Sequence, residues 1–175
     1  MENILLAVDG SDHGSKAAGY AGDLASKYGA RVTVLHVLDR RHLSPEHKRM
    51  AEVEHMADDR GKALPWVENA PAELASMLQG QETVEHEDEV LRYLGDKVAR
   101  AATDELTAHG VSADSIRLIF KNGDPVERII ETAKETGADA IVLGSRGLSE
   151  VSGLAFGSVS HKVSHIAPCT VITVK

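Results

Sequence analysis

Two glycine-rich segments in the last third of the chain contain residue types that could bind an anion. The first is Gly144-Ser145-Arg146-Gly147, and Gly157-Ser158 follows nine residues later. Glycine permits positive φ angles and close backbone approach, as an anion-binding turn requires. Gly157 precedes a predicted helix, whose first N–H groups and positive dipole end would face an anion. A plain glycine-rich turn before a capped helix explains the same residues equally well, so spacing alone leaves both interpretations open.

Nearby side chains could assist such a site. Ser158 and Ser160 offer hydroxyl donors, and Arg146 and Lys162 offer positive charge in a chain whose net charge is −8. Other nucleotide and hydrolase motifs are missing from the sequence. It contains no G-x-x-x-x-G-K-[ST] loop, no G-x-G-x-x-G after a strand and no G-x-S-x-G elbow.

Strands and helices alternate along the chain and would position these loops. Short apolar runs predict five strands, at residues 4–8, 32–37, 116–120, 140–143 and 171–174. Apolar stripes at helical spacing predict helices between them, at residues 13–28, from Val90 to Gly110, at 125–136 and at 158–165. This alternation is typical of an α/β fold with helices on both faces of one sheet. In such sheets ligands bind beyond the carboxyl ends of the strands.

Local signals mark where the helices begin and end. Ser11 or Asp12 is predicted to cap the first helix and Gly29 to end it. Asp124-Pro125 should open a later helix that Gly137 ends.

The 175 residues predict a single domain, 1–175, with a long irregular or helical insertion at about 39–89. Short helices are expected there at residues 45–60 and 72–78. A connection of this length could cover a site, form a dimer contact or act as a flap. The sequence does not choose among the three.

Composition excludes several partners. The chain has no clustered Lys/Arg face, so a nucleic-acid polymer is not expected to bind. It has neither a signal-peptide pattern nor a membrane span, and its one cysteine, Cys169, is predicted to be a buried structural thiol in a cytoplasmic protein. No metal site is predicted, because His42, His47, His55 and His86 match no H-x-x-x-H pattern.

The motifs resemble those of the universal stress protein family, in its ATP-binding type. The glycine, two residues, glycine, nine residues, glycine-serine pattern stands here as Gly144, Gly147 and Gly157-Ser158. Residues 4–11, His36-Val37 and residues 167–171 are also similar to the family's strand-and-turn segments. The resemblance covers most of the chain and excludes only about residues 40–90. Ala7 and His161 depart from the pattern, since the family often has proline and an acidic residue there.

The resemblance implies a single open five-stranded parallel sheet of order 3-2-1-4-5, adenine-nucleotide alpha-hydrolase-like, with Asp9 beside the Gly144 loop. By similarity, Ala7, Asp9 and Val37 would line the adenine side, and Leu143 and Gly144 would flank the nucleoside. Gly147, Gly157, Ser158 and Val159 would hold the phosphates. Arg146 and Ser160, selected above for their charge and hydroxyl, complete the predicted nucleotide site. Asp9 could instead only form the turn and cap the first helix.

The implied function is a regulatory stress-response module that binds ATP, or ADP or AMP, with or without Mg²⁺. No catalytic residue is predicted, because no carboxylate is clearly placed as a base. A slow ATPase and a nucleotide-free interaction factor are the alternatives. The resemblance also implies a homodimer through the fifth strand, at the sheet edge, and an unidentified regulated protein as partner.

Overall fold

The computed structural model describes residues 1–38, 84–147 and 157–175, with the backbone alone for residues 84–94. The expected helices at 45–60 and 72–78, and most of the expected insertion, lie outside the described residues. Residues 1–38 and 94–175 form one compact unit, and residues 39–93 belong to a second. The site discussed below lies in the first unit.

The described elements follow the predicted order. They are β1 (Asn3–Val8), α1 (Asp12–Tyr28), β2 (Arg31–Leu38), α2 (Val84–Ala108), a 3-10 turn (Ala113–Ser115), β3 (Ile116–Asn122), α3 (Pro125–Thr136), β4 (Ala140–Gly144), α4 (Ser158–Ile166) and β5 (Thr170–Val174). Most bounds lie within two residues of the prediction, but α2 begins well before Val90. None of the described helices combines the length and apolar character needed to cross a membrane.

The strands form one parallel sheet in the order β3-β2-β1-β4-β5, which confirms the expected topology. The strand order reverses between β1 and β4. Ala7 on β1 stands opposite Leu35 on β2 and Leu143 on β4. The loops that follow β1 and β4 therefore leave the sheet side by side, where ligands bind in open α/β sheets.

Each face of the sheet is covered by a different pair of helices. On one face, Ile4, Leu6 and Val34 are buried against small residues of α1, among them Ala17 and Ala21, and against α2. The other face buries a second cluster with α3 and α4, comprising Leu5, Leu35, Ile141, Leu143, Ile129, Ala133 and Val163. Cys169 packs against this second cluster but is only half-buried, and its burial raises the pKa of its thiol.

The predicted helix ends are confirmed. The Ser11 hydroxyl accepts the Gly14 N–H at 3.1 Å, and the Asp124 carboxylate accepts two N–H groups at the start of α3. Gly29 and Gly137 end α1 and α3 with φ angles of 65° and 59°, the left-handed conformation that glycine adopts at low cost.

Candidate functional site: the loops beyond β1 and β4

The loops after β1 and β4 meet at Asp9 and Gly147. A Cβ atom built on Gly147 would collide with Oδ2 of Asp9. The carboxylate thus lies directly against the backbone of the glycine loop, as the expected strand order requires. Asp9 is half-buried.

The other oxygen of Asp9 holds its own turn. Oδ1 accepts the Ser11 N–H at 3.1 Å and the Ser11 hydroxyl at 2.6 Å. The same hydroxyl lies 3.4 Å from the carbonyl oxygen of Arg146. Asp9 therefore has both placements considered from the sequence: one oxygen forms the turn that caps α1, and the other faces the glycine loop.

Ser145 holds the glycine loop together, although sequence reasoning did not select it. Its N–H donates to the Val174 carbonyl at 2.7 Å, and its own carbonyl accepts the Gly157 N–H at 2.7 Å. Its hydroxyl lies 3.3 Å from Nδ1 of His13 on α1. The side chain is buried. Ser145 thus connects the loop to β5, α4 and α1, and its position between the two glycines was the only sequence signal for it.

Ser160 is placed differently from the expectation. Its buried hydroxyl donates to the Ser145 carbonyl at 2.7 Å and lies 3.0 Å from the Gly157 carbonyl. Because its single proton is engaged inside the loop, Ser160 positions the loop instead of presenting a donor to a ligand. Ser158 is exposed, and Val159 packs on the second core cluster.

The glycines of the loop serve close approach and not positive φ. Gly144, Gly147 and Gly157 are absent from the described glycines with positive φ, which corrects the conformational reason expected for the first two. A Cβ on Gly144 would lie 2.9 Å from His13 Cβ, and one on Gly157 would lie 3.3 Å from Arg146 Cα. These contacts are tighter than ordinary van der Waals separation, so the glycines let α1 and α4 pack against the loop.

Helix α4 begins without a side-chain cap, unlike α1 and α3. Gly157 occupies the capping position in an extended conformation, with φ −75° and ψ 160°. The first N–H groups of a helix have no partner within the helix, and the positive dipole end lies there. The N-terminus of α4, next to Gly147 and Arg146, can therefore accept an anion.

An apolar surface adjoins the polar corner that Asp9, Gly147 and the N-terminus of α4 form. Ala7 and Val37 are partly buried and pack against the cluster that contains Leu143. All three lie near the carboxyl ends of their strands on the α3/α4 face of the sheet. The structure thus brings together the residues expected on the adenine and nucleoside sides.

His36 lies on the opposite face, near the same strand ends. Its Nδ1 is 2.9 Å from the Val8 carbonyl, and its ring meets that of Phe120 edge-on. Burial lowers the pKa of His36, partly offset by the bond to Val8 and the charge of Asp9. The neutral ring therefore donates from Nδ1 to the Val8 carbonyl. No group of three or more His, Cys, Asp or Glu side chains suited to a metal ion occurs within the described ranges.

Comparison with known proteins identifies one family over the whole chain. The family model described as "Universal stress protein family" matches residues 1–175. A universal stress protein of Thermus aquaticus is 34% identical over 175 residues, covering 100% of this chain and 99% of its own length. Universal stress protein YxiE of Bacillus subtilis is 31% identical over 175 residues, with the same coverage.

Solved structures of universal stress proteins have the same fold as this chain. UspA from Lactobacillus plantarum superposes with a TM-score of 0.60 at 26% identity, covering 99% of this chain and 97% of that one. Two structures of lower sequence identity share the fold. A universal stress protein in complex with cAMP superposes with a TM-score of 0.58 at 21% identity, covering 99% of this chain and 95% of that one. A universal stress protein from Archaeoglobus fulgidus in complex with dAMP superposes with a TM-score of 0.58 at 20% identity, covering 100% of this chain and 98% of that one. On these matches, together with the glycine-loop geometry, the chain belongs to the universal stress protein family.

Proposed function

We propose that the chain binds an adenine nucleotide, ATP or its ADP or AMP forms, where the loops after β1 and β4 meet. It would act as a regulatory module of a stress response. The observation that carries the proposal is the contact between Asp9 and Gly147 beside the uncapped N-terminus of α4. One corner of the protein thus combines a hydrogen-bond acceptor for a nucleoside with donors for phosphate.

Electrostatics orients the nucleotide. The Asp9 carboxylate would repel a phosphate group, so the phosphates belong at Gly147 and the start of α4, with the Arg146 side chain near them. The nucleoside then lies toward Asp9, which can accept from ribose hydroxyl or amino groups, and toward Ala7 and Val37, whose apolar surface suits a purine ring. Any Mg²⁺ would be held chiefly by the phosphates and water.

The two solved relatives in complex with cAMP and with dAMP support the adenine part of this proposal. Both ligands contain an adenine, a five-membered sugar and one phosphate. Titration with ATP, ADP and AMP determines how many phosphates this chain binds.

Rapid hydrolysis is not part of the proposal. It would require a positioned base or water-orienting group close to the terminal phosphate. Asp9 engages Ser11 through Oδ1 and lies on the nucleoside side of the corner. Slow turnover remains the second candidate function, and a nucleotide-free interaction factor the third.

A homodimer through β5 belongs to the same proposal. Among the described strands β5 pairs only with β4, so its outer edge can pair with a second copy. Apolar edge strands are normally protected, and Val171 and Ile172 are partly buried. A cytoplasmic location and an unidentified regulated protein complete the proposal.

The test begins with the nucleotide content of purified protein, measured by heat extraction and chromatography. Titration with ATP, ADP and AMP, with and without Mg²⁺, follows for wild type, Gly157→Val and Ser164→Ala. Gly157→Val fills the space against Arg146 and Ser145 and should abolish binding. Ser164→Ala, further along the same helix, should bind as wild type does.

Unfolding curves establish that each variant is folded, and a phosphate-release assay bounds hydrolysis. If folded wild type carries no nucleotide and binds none, the proposal is wrong and the interaction factor replaces it.

A further inference from the structure

Two histidines of α4 lie side by side on its exposed surface. His161 and His165 are one helical turn apart, and their ring centroids are 4.6 Å apart with planes inclined by 52°. Among the described residues neither imidazole is hydrogen-bonded or ion-paired. The sequence between them reads H-x-x-x-H, the spacing that places two side chains on one face of a helix.

We propose that His161 and His165 form a surface site for a transition-metal ion that accepts two adjacent imidazoles, namely Cu²⁺ or Ni²⁺. A metal about 2.0 Å from one nitrogen of each ring places the two centroids about 4.5 Å apart when the N–metal–N angle is a right angle. The centroid separation of 4.6 Å is short enough for both rings to reach one metal ion in this arrangement.

The imidazole nitrogens of His161 and His165 favour some metal ions over others. Square-planar or tetragonal sites with nitrogen and oxygen ligands are typical of Cu²⁺ and Ni²⁺, whereas Mg²⁺ and Ca²⁺ prefer oxygen ligands. For a given set of nitrogen ligands, affinity rises toward Cu²⁺ along the first-row series. The net charge of −8 favours the approach of cations, although Lys162 between the two rings opposes it locally.

The surroundings leave room for the other ligands of the metal. The two histidines line an open groove of about 330 Å³ together with Lys162, Ile166 and, from α3, Val126. Both histidines are exposed. Water can therefore fill the coordination positions that the imidazoles leave open.

Metal binding would act on the first turns of α4. The His161 N–H donates to the Gly157 carbonyl at 3.0 Å, so the metal would brace the helix immediately after its start. A ligand that binds only the folded chain raises its thermal stability by mass action. The site does not depend on nucleotide binding, and the two proposals can fail separately.

The experiment is calorimetric titration of untagged, nucleotide-free protein with NiCl₂, repeated with CuCl₂. Wild type should bind one ion at a saturable site and unfold at a higher temperature with Ni²⁺ present. His161→Ala and His165→Ala should each weaken this site at least by the roughly tenfold that even outer-shell changes cost at metal sites.

The chain has nine histidines, so the controls must separate spacing from composition. The double variant His165→Ser/Ile166→His keeps all nine but moves the second imidazole off the shared face, and it should lose the site as well. His109→Ala removes a histidine elsewhere and should bind as wild type does. Metal-free unfolding curves verify that each variant folds. Wild-type affinity in the double variant, or in both single alanine variants, would overturn the proposal.

Discussion

Asp9 and Gly147 are in contact although 138 positions separate them, and the contact leaves no room for a side chain at Gly147. The two residues belong to the loops after β1 and β4, which neighbour each other only because the strand order reverses there. The contact therefore reports directly on the geometry of the candidate site.

Gly147→Ala should destabilise the fold by about 1–3 kcal/mol, the usual cost of overpacking, because its Cβ would displace the Asp9 carboxylate, whose other oxygen is held by Ser11. Asp9→Ala removes the obstacle, so the same glycine substitution should cost less in that background. Urea unfolding of the two single variants and the double variant measures this coupling. Additive costs would show that the contact is not what excludes a side chain.

Ser160→Ala should lower the free energy of unfolding by about 1–2 kcal/mol, because it removes the hydroxyl that donates to the buried Ser145 carbonyl. Ser164→Ala is the matched control. Among the residues that the structure describes, its hydroxyl bonds only to the carbonyl one turn back, that of Ser160, and the residue is exposed. Its loss should change stability by less than about 0.5 kcal/mol. Equal effects in denaturant titrations would contradict the role given to Ser160.

Two glycines of α1 should respond oppositely to alanine. A Cβ on Gly22 would lie 2.6 Å from His109 Cβ, close to the α2 backbone, so Gly22→Ala should destabilise by about 1–3 kcal/mol. At Gly19 the nearest atom, 3.1 Å away, is the carboxylate end of Glu105, which can move. Gly19→Ala should therefore be neutral or gain up to about 1 kcal/mol of helix propensity. Thermal unfolding distinguishes the pair, and equal losses would contradict the packing argument.

His36 should make the protein less stable in mild acid. Its folded-state pKa lies below the ordinary value of 6.5, because burial disfavours the charged ring. The unfolded chain therefore takes up a proton first, and the stability present above pH 6.5 is lost as the pH falls through the folded pKa. His36→Gln should show a flatter decline between about pH 7.5 and 5.5. Urea unfolding of both proteins across this pH range measures the effect. If the free energies of unfolding of the two proteins decline in parallel, His36 is not the cause of the acid sensitivity.

Protonation of His109 should stabilise the folded protein, which is the opposite of the effect of His36. Its bond to Asp23, at 2.7 Å, raises its pKa above 6.5, with a smaller contribution from Glu105. The stabilisation that its charged pair with Asp23 provides is fully present below pH 6.5 and is lost as the pH rises through the folded pKa. The difference in stability between wild type and His109→Gln should therefore shrink toward pH 8, and it should be small and salt-sensitive because Asp23 is exposed. A difference that grew with pH would reverse the assignment.

The sequence predicted the features that depend on local signals. Ser11, Asp124-Pro125, Gly29 and Gly137 mark the helix ends through their own backbone preferences, and apolar runs mark the strands. The strand order came from resemblance, since periodicity alone does not determine which strands are neighbours.

Features made by distant contacts escaped prediction. Ser145 is a common turn residue whose importance arises from partners on α1, α4 and β5. Ser160 was expected to donate to a phosphate, but its hydroxyl donates to the Ser145 carbonyl instead. His161 and His165, by contrast, are a local pair one helical turn apart on the exposed surface of α4, and their H-x-x-x-H spacing is visible in the sequence.

The partners of Ser145 also suggest when the glycine loop can form during folding. Its hydroxyl contact reaches back 132 positions to His13, while its backbone bonds reach forward to Gly157 and Val174. Closing such long intervals costs chain entropy that is recovered only when the intervening strands have docked. We therefore expect the glycine loop to take its shape only after the first and last strands have docked, so that a chain with either strand undocked would lack the nucleotide site.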